Sequence, residues 1–87
     1  IMENFYLMPE FKKAFLGTTI PRTNMPTVAV YDFDKCLDII MKRDKVEYDE
    51  AMDIFYFNTV NADMAEKTPI ILQRHKEKEM EDWDWDE

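Results

Sequence analysis

The chain has 87 residues, of which 46% are hydrophobic and 14% aromatic, so its length and composition indicate one small globular domain with an apolar core. Its formal net charge is −8 at pH 7. A protein that binds a phosphate backbone needs a basic surface, and we therefore expect no direct nucleic-acid binding.

Cysteine and histidine are each present once, as Cys36 and His75. These counts exclude an internal disulfide framework and a cysteine- or histidine-rich metal site, and we expect no cofactor. The longest apolar runs, such as Ile54–Phe57, are far shorter than the roughly 20 residues that a membrane-spanning helix needs. With no signal-peptide pattern, the sequence predicts a cytoplasmic protein that does not bind membranes.

The first half of the chain predicts a β-hairpin. Ala14–Ile20 ends in β-branched residues, and Gly17, the only glycine, indicates a bulge or a close backbone approach. Pro21–Pro26 is a loop, and Thr27–Tyr31 is the strongest strand pattern in the sequence. Six loop residues are too few for a parallel crossover, so the two strands are expected to pair antiparallel.

The second half predicts two helices and a third strand. Asp32 or Asp34 is expected to cap a helix that ends near Arg43, and a second helix is expected at about 48–64. Thr68–Gln73 reads as a short edge strand because Pro69 lies near its start. The predicted fold is α+β, with the order β-β-α-α-β: a small antiparallel sheet of about three strands packed by two helices.

Acidic residues are concentrated at the C-terminal end. Residues 76–87 hold seven of the chain's 19 acids together with both tryptophans, so residues 1–75 are predicted to form the domain and 76–87 a flexible acidic tail. Tryptophan is a frequent interface anchor. Three roles stay open for this tail: a peptide that docks on a basic, apolar groove of a partner, a segment that packs on its own domain, or a solubilising extension.

The motif Tyr31-Asp-Phe-Asp34 places two carboxylates directly after a strand. Such a pair can hold Mg²⁺, which makes Asp32 and Asp34 the metal candidates and a metal-dependent hydrolase one alternative function. The favoured interpretation is that the pair caps the following helix and supplies an acid to its first turn. Cys36 lies on the apolar stripe of that helix, and His75 is expected to be solvated at the end of the third strand.

Apolar side chains surround nearly the whole circumference of the second predicted helix, so we expect this helix either to be sandwiched between layers of its own fold or to present one face to a partner. The predicted function is therefore non-enzymatic binding of another protein, with a basic partner as one option. The expected partner-binding residues are on this helix and in the tail: Tyr56, Phe57, Trp83, Trp85, Asp82 and Asp84. The alternative is a structural homo-oligomer that buries this helix and N-terminal aromatic residues between copies: Phe5, Tyr6 and Phe11.

The middle of the chain resembles a group of small uncharacterised proteins of bacteria and their phages. The similar stretches are Met25–Asp44, Tyr48–Met52, Phe57–Asn58 and Thr68–Pro69. The resemblance implies a small phage-type accessory or regulatory protein in the host cytoplasm, with inhibition of a host factor as one mode of action, and it implies no catalytic residues. The similar proteins tend to have glycine after the Arg-Asp pair, where this chain has Lys45.

Overall fold

A computed structural model describes residues 5–62 and 67–83. It confirms a small α+β fold, in which a three-stranded mixed sheet packs against helices. The elements in chain order are a 3-10 helix (Pro9–Ala14), β1 (Phe15–Thr18), β2 (Ala29–Asp32), α1 (Phe33–Asp44), α2 (Tyr48–Phe55), a π-helical turn (Tyr56–Val60), β3 (Ile70–Leu72) and α3 (Glu77–Met80).

The predicted hairpin is confirmed, since β1 and β2 pair antiparallel. The register shifts between Phe15 and Gly17, and Gly17 has a φ of 154°, so the only glycine lies at a bulge as expected. The first strand is shorter than the predicted Ala14–Ile20, because Ala14 belongs to the 3-10 helix and the strand ends at Thr18. Beyond β1, the Thr19 hydroxyl accepts a hydrogen bond from the Val28 backbone N–H at 3.0 Å.

The expectation of an antiparallel sheet is wrong for β3. This strand pairs parallel with β2, with Val30 beside Ile70 and Asp32 beside Leu72, and the sheet order is β1-β2-β3. The reason is the connection between them, because α1 and α2 both lie between β2 and β3 and form the long crossover that parallel neighbours require.

Helix α1 has a defined cap at each end. One Asp32 carboxylate oxygen accepts a hydrogen bond from the Lys35 backbone N–H at 3.0 Å, which confirms the predicted N-cap. At the other end Lys45 takes the left-handed conformation, with φ 56° and ψ 50°, and its N–H donates to the Met41 carbonyl. This conformation favours glycine, so Lys45 occupies it at an energetic cost.

The second helical segment changes geometry near its end. Regular α2 stops at Phe55, and the following turn is π-helical, with the Asn61 N–H donating to the Tyr56 carbonyl at 3.1 Å. Helical structure therefore ends at Val60, earlier than the predicted Met64, and Met64 itself lies outside the described residues.

The core lies between the helices and one face of the sheet. The rings of Phe11 and Phe55 meet edge to face at a centroid distance of 5.5 Å, and the Tyr31 hydroxyl accepts a hydrogen bond from the Met8 N–H at 2.8 Å. Phe11 is 1% exposed, so it belongs to its own chain's core, and its predicted burial between copies is wrong. The other buried core residues are Ala14, Ala29, Phe33, Cys36, Leu37, Ile40 and Ala51.

The opposite face of the sheet is apolar and accessible. Successive residues of a strand point to opposite faces, and Tyr31 points into the core, so its neighbour Val30 points outward. Ile70 and Leu72 lie on this outer face because they pair with Val30 and Asp32, and they are 45% and 44% exposed. In the part of the chain that the structure describes, no helix is long and apolar enough to cross a bilayer.

Candidate functional site

The first candidate surface is formed by Tyr56 and Phe57, at the start of the π-helical turn. Phe55, one residue earlier, is fully buried between Phe11 and Phe33, which fixes the inner face of this helix. Phe57 is 83% exposed, and Tyr56 is 42% exposed with its ring edge to face against the Phe33 ring at a centroid distance of 6.4 Å. The two predicted binding residues therefore project from an ordered helical segment that its core residues hold in place.

The second candidate surface lies in the predicted tail. Glu77–Met80 form α3, and Trp83 follows it, 47% exposed, with its ring edge to face against His75 at 4.9 Å. Asp82 is exposed beside it, while Asp84 and Trp85 lie outside the described residues. The flexibility of this segment stays a prediction, but its first half includes a helical turn.

Both surfaces are anchored at the start of α1. Tyr56 packs on Phe33, the first residue of that helix, and Asp32 caps the same helix. The second Asp32 carboxylate oxygen lies 2.9 Å from Arg74 Nε, and Arg74 immediately precedes the His75 ring that supports Trp83. The ion pair between Asp32 and Arg74 thereby joins the end of β2 to the residues that follow β3. The Phe33–Tyr56 and His75–Trp83 ring contacts both lie next to this ion pair in the chain.

A shallow cleft of about 450 Å³ lies at this same point. It is lined by charged residues from the ends of both strands and the first turn of α1: Asp32, Asp34, Lys35, Arg74, His75 and Lys76. Asp32 has only 3% of its side chain exposed, and each of its carboxylate oxygens already has a partner. The predicted capping role of Asp32 is thus observed directly, and its carboxylate is engaged in the cap and the ion pair.

The metal interpretation needs carboxylate oxygens that are free to bind an ion. Mg²⁺ is usually held through one or two carboxylates together with several waters, whereas Ca²⁺ takes more oxygen ligands, about six to eight. Among the described residues, no group of three or more His, Cys, Asp or Glu side chains is placed to hold an ion. Asp34 is exposed in the first turn of α1, where its negative charge interacts favourably with the positive end of the helix dipole.

Cys36 lies inside the core, with no exposed surface. Burial, with the nearby Asp32 charge as a smaller cause, raises the pKa of its thiol to about 12. The thiol therefore stays protonated at neutral pH, and a thiolate nucleophile is not formed there. Its position on the apolar stripe agrees with a packing role.

A third surface was not anticipated from the sequence. An open groove of about 870 Å³ runs between the β1–β2 connection and the start of β3, over Val28. Its walls are mainly apolar, with Ile20 81% and Met25 58% exposed, and Arg22 is the one charged residue among those that line it. The sequence of β3 could have indicated this surface. An Ile-Ile-Leu strand has apolar side chains on both faces of the sheet, which predicts that both faces are covered by other apolar groups.

The tip of that connection is ordered by paired backbone hydrogen bonds. Arg22 and Met25 exchange N–H to carbonyl bonds at 2.9 Å in both directions, and Asn24 between them has a positive φ of 64°. Asparagine tolerates this left-handed conformation better than most residues do. The groove wall is therefore a closed turn and a defined part of the fold.

The chain matches no protein-family model, no curated protein and no solved structure.

Proposed function

We propose that this protein acts without catalysis, as a phage-type accessory protein that binds another protein through Tyr56 and Phe57. The observation that carries the proposal is the exposure of Phe57, at 83%, in a helical turn held by the core. Large aromatic residues supply much of the binding energy at protein interfaces. The resemblance of residues 25–69 to small bacterial and phage proteins supports the accessory role.

The energetic argument rests on the rigidity of the segment. Transferring a phenylalanine side chain out of water is worth about 1.5–3 kcal/mol. An exposed aromatic residue on a mobile loop would lose part of this free energy, because the loop becomes ordered on binding. Phe57 avoids most of that cost because it lies two residues after Phe55, whose ring packs between Phe11 and Phe33. Tyr56 adds a second ring with a hydroxyl that can find a polar partner. The pair therefore forms a preorganised contact.

The charges around this surface favour a basic partner. Asp49, Glu50 and Asp53 are all exposed on α2, and no basic residue lies in the helix's last turn. Acids at the edge of an aromatic contact mainly steer association, so their effect is screened by salt. Binding of a basic protein is expected to slow as ionic strength rises, while the aromatic contact sets the dissociation rate.

The test compares three forms of the chain in affinity capture from a bacterial lysate: wild type, Phe57→Ser and Ile20→Ser. The two substitutions remove exposed apolar side chains of similar accessibility from different surfaces. We expect the wild type and Ile20→Ser to retain the same partner and Phe57→Ser to lose it. Retention by Phe57→Ser would reject this surface, and a form truncated after Arg74 then tests whether residues 75–87, which include Trp83, bind the partner.

A second candidate function, homo-oligomeric assembly, is favoured by the outer face of the sheet. Ile70 and Leu72 are exposed there, next to the apolar groove with Ile20 and Met25. An apolar surface of this kind is typical of protein contacts. Light scattering during size exclusion discriminates the two functions: a dimer that Ile70→Lys converts to a monomer supports assembly, and a monomeric wild type at micromolar concentration rejects it.

A further inference from the structure

The groove between the β1–β2 connection and the start of β3 is an apolar site with one positive charge in its wall. Ile20 and Met25 are exposed there, and Arg22 is the one charged residue among those that line it. The paired backbone bonds between Arg22 and Met25 fix the turn that carries the guanidinium. The ion pairs of the described residues involve other basic groups: Lys42, Arg43, Arg74 and His75. The exposed Arg22 side chain is therefore available to an acidic ligand.

The segments that build this groove come from parts of the chain that contain no acidic residue. Residues 11–31 and 67–76 supply β1, the β1–β2 connection, all of β3, and β2 up to its last residue. These two stretches have a net charge of +6 (six bases, no acids), whereas the rest of the chain has −14 (five bases, 19 acids). Opposite charges thus lie on different parts of one molecule, so two copies can attract each other despite their negative net charge.

The C-terminal stretch has the chemistry that complements this groove. Residues 82–86 read Asp-Trp-Asp-Trp-Asp, so a carboxylate lies on each side of the Trp85 indole in the sequence. Trp83 packs edge to face against His75, beyond the end of β3. Trp85 follows two residues later and lies at most about 7 Å from Trp83 along the backbone. Because the groove adjoins the opposite end of β3, this reach favours the groove of another copy.

We propose that the Trp85 indole of one copy enters this groove of a second copy, where a neighbouring carboxylate pairs with Arg22. Tryptophan and arginine are among the residues that most often dominate the binding energy of an interface. The contact is heterologous, because each copy contributes a tail on one side and a groove on the other, so copies associate head to tail. It is independent of the first proposed function, and it differs from assembly through the outer face of the sheet, which requires no tail.

Complementation between two full-length variants tests this contact. Trp85→Ser removes the indole and keeps the groove, whereas Arg22→Glu reverses the charge of the groove and keeps the tail. Light scattering measures the mass of each form at concentrations up to about 1 mM, where a weak contact is populated. We expect the wild type to associate and each variant alone to associate at least about tenfold more weakly. An equimolar mixture of the two variants should recover a one-to-one complex, because one intact tail then meets one intact groove.

Two further variants serve as controls. Lys12→Glu makes the same charge reversal at an exposed residue that does not line the groove, and it should change association by less than about twofold. Phe57→Ser should leave association unchanged, which separates this contact from the first proposed function.

Three results would overturn the tail contact: a wild type that is monomeric at every concentration, a mixture of the two variants that stays monomeric, or equal losses in Lys12→Glu and Arg22→Glu. Association that persists in Trp85→Ser and is lost in Leu72→Lys would also reject it, and would support assembly through the outer face of the sheet.

Discussion

Substitution of Asp32 tests whether its carboxylate is a structural cap and ion-pair partner. The side chain is 3% exposed, one oxygen accepts from the Lys35 N–H at 3.0 Å, and the other lies 2.9 Å from Arg74 Nε. Asp32→Ala removes both contacts, while Asp32→Asn keeps an oxygen for the cap and removes the charge. Asp34→Ala is the matched control, because Asp34 is an exposed acid two residues later in the same turn.

The expected magnitudes follow from these contacts. Loss of an N-cap costs about 0.5–2 kcal/mol, and asparagine caps nearly as well as aspartate. The Arg74 side chain is 60% exposed, so the released guanidinium regains water and the lost ion pair costs only about 1 kcal/mol. Asp32→Ala should therefore lower the free energy of unfolding by roughly 1.5–3 kcal/mol, Asp32→Asn by about 1 kcal/mol and Asp34→Ala by about 0.5 kcal/mol.

Urea denaturation followed by far-ultraviolet circular dichroism measures these differences. A double-mutant cycle with Arg74→Gln isolates the ion pair, and we expect a coupling energy near 1 kcal/mol between Asp32→Asn and Arg74→Gln. If Asp32→Ala costs no more than Asp34→Ala, the capping argument is refuted. If Asp32→Asn costs as much as Asp32→Ala, the charge, and not the cap, carries the stability.

Three further predictions concern single positions. Lys45→Gly should raise the free energy of unfolding by about 0.5–1 kcal/mol, because glycine accepts the φ of 56° without the steric cost of a side chain. Phe55→Ala should lower it by about 3–5 kcal/mol, since the ring is fully buried, whereas Phe57→Ala should change it by less than about 0.5 kcal/mol. Because burial raises the pKa of the Cys36 thiol to about 12 from 9.0, iodoacetamide should label the native protein negligibly at pH 8, and stability from this group should be lost as pH rises from 9 towards 12.

Each of these predictions has its own control. Lys42→Gly, at an exposed position inside α1, should lower stability by about 1 kcal/mol, and a gain there would contradict the account of Lys45. Equal losses in Phe55→Ala and Phe57→Ala would show that the exposed ring contributes to the core. Cys36→Ala should weaken the alkaline loss of stability in denaturation curves, and rapid labelling of folded protein at pH 8 would show that the thiol is accessible.

Local sequence patterns predicted the elements around the α1 cap well, because their determinants are near one another in the chain. Asp32 reaches a backbone N–H three residues away, and Gly17 bends a strand at its own position. The exposure of Phe57 followed from a helix with apolar side chains on every side, only some of which can face one core.

Features that depend on distant residues were not predictable in the same way. The ion pair of Asp32 with Arg74 joins residues 42 positions apart, and neither residue type specifies that partner. The parallel pairing of β3 depends on how α1 and α2 pack, because they determine the direction in which the chain returns to the sheet. The alternation of apolar residues within a strand does not specify that direction. The π-helical turn spans only Tyr56–Val60, which is too short a segment for the spacing of its apolar residues to distinguish a π-helix from an α-helix.

The contact of Trp83 with His75 is a third kind of feature, because its residues are close together in the chain and yet the composition of the segment did not predict it. The acidic composition predicted a flexible tail, but the structure has a helix of a single turn there, α3. The Glu79 carboxylate accepts a hydrogen bond from the Lys76 N–H at 2.8 Å and so caps this turn. Composition averages over a segment and misses a turn that a single side-chain contact stabilises.

The parallel position of β3 has a consequence for the order in which the fold can form. The central strand β2 meets β1 across a ten-residue connection, but its contact with β3 closes a loop that includes both α1 and α2. Closing the longer loop loses more chain entropy and belongs to the slower, non-local steps of folding. During synthesis the hairpin and α1 can therefore assemble first, while one edge of β2 stays open until Ile70–Leu72 arrive. Arg74, just behind that strand, then joins the carboxylate that already caps α1, so the last strand to arrive is also the one that ties the sheet to the helix.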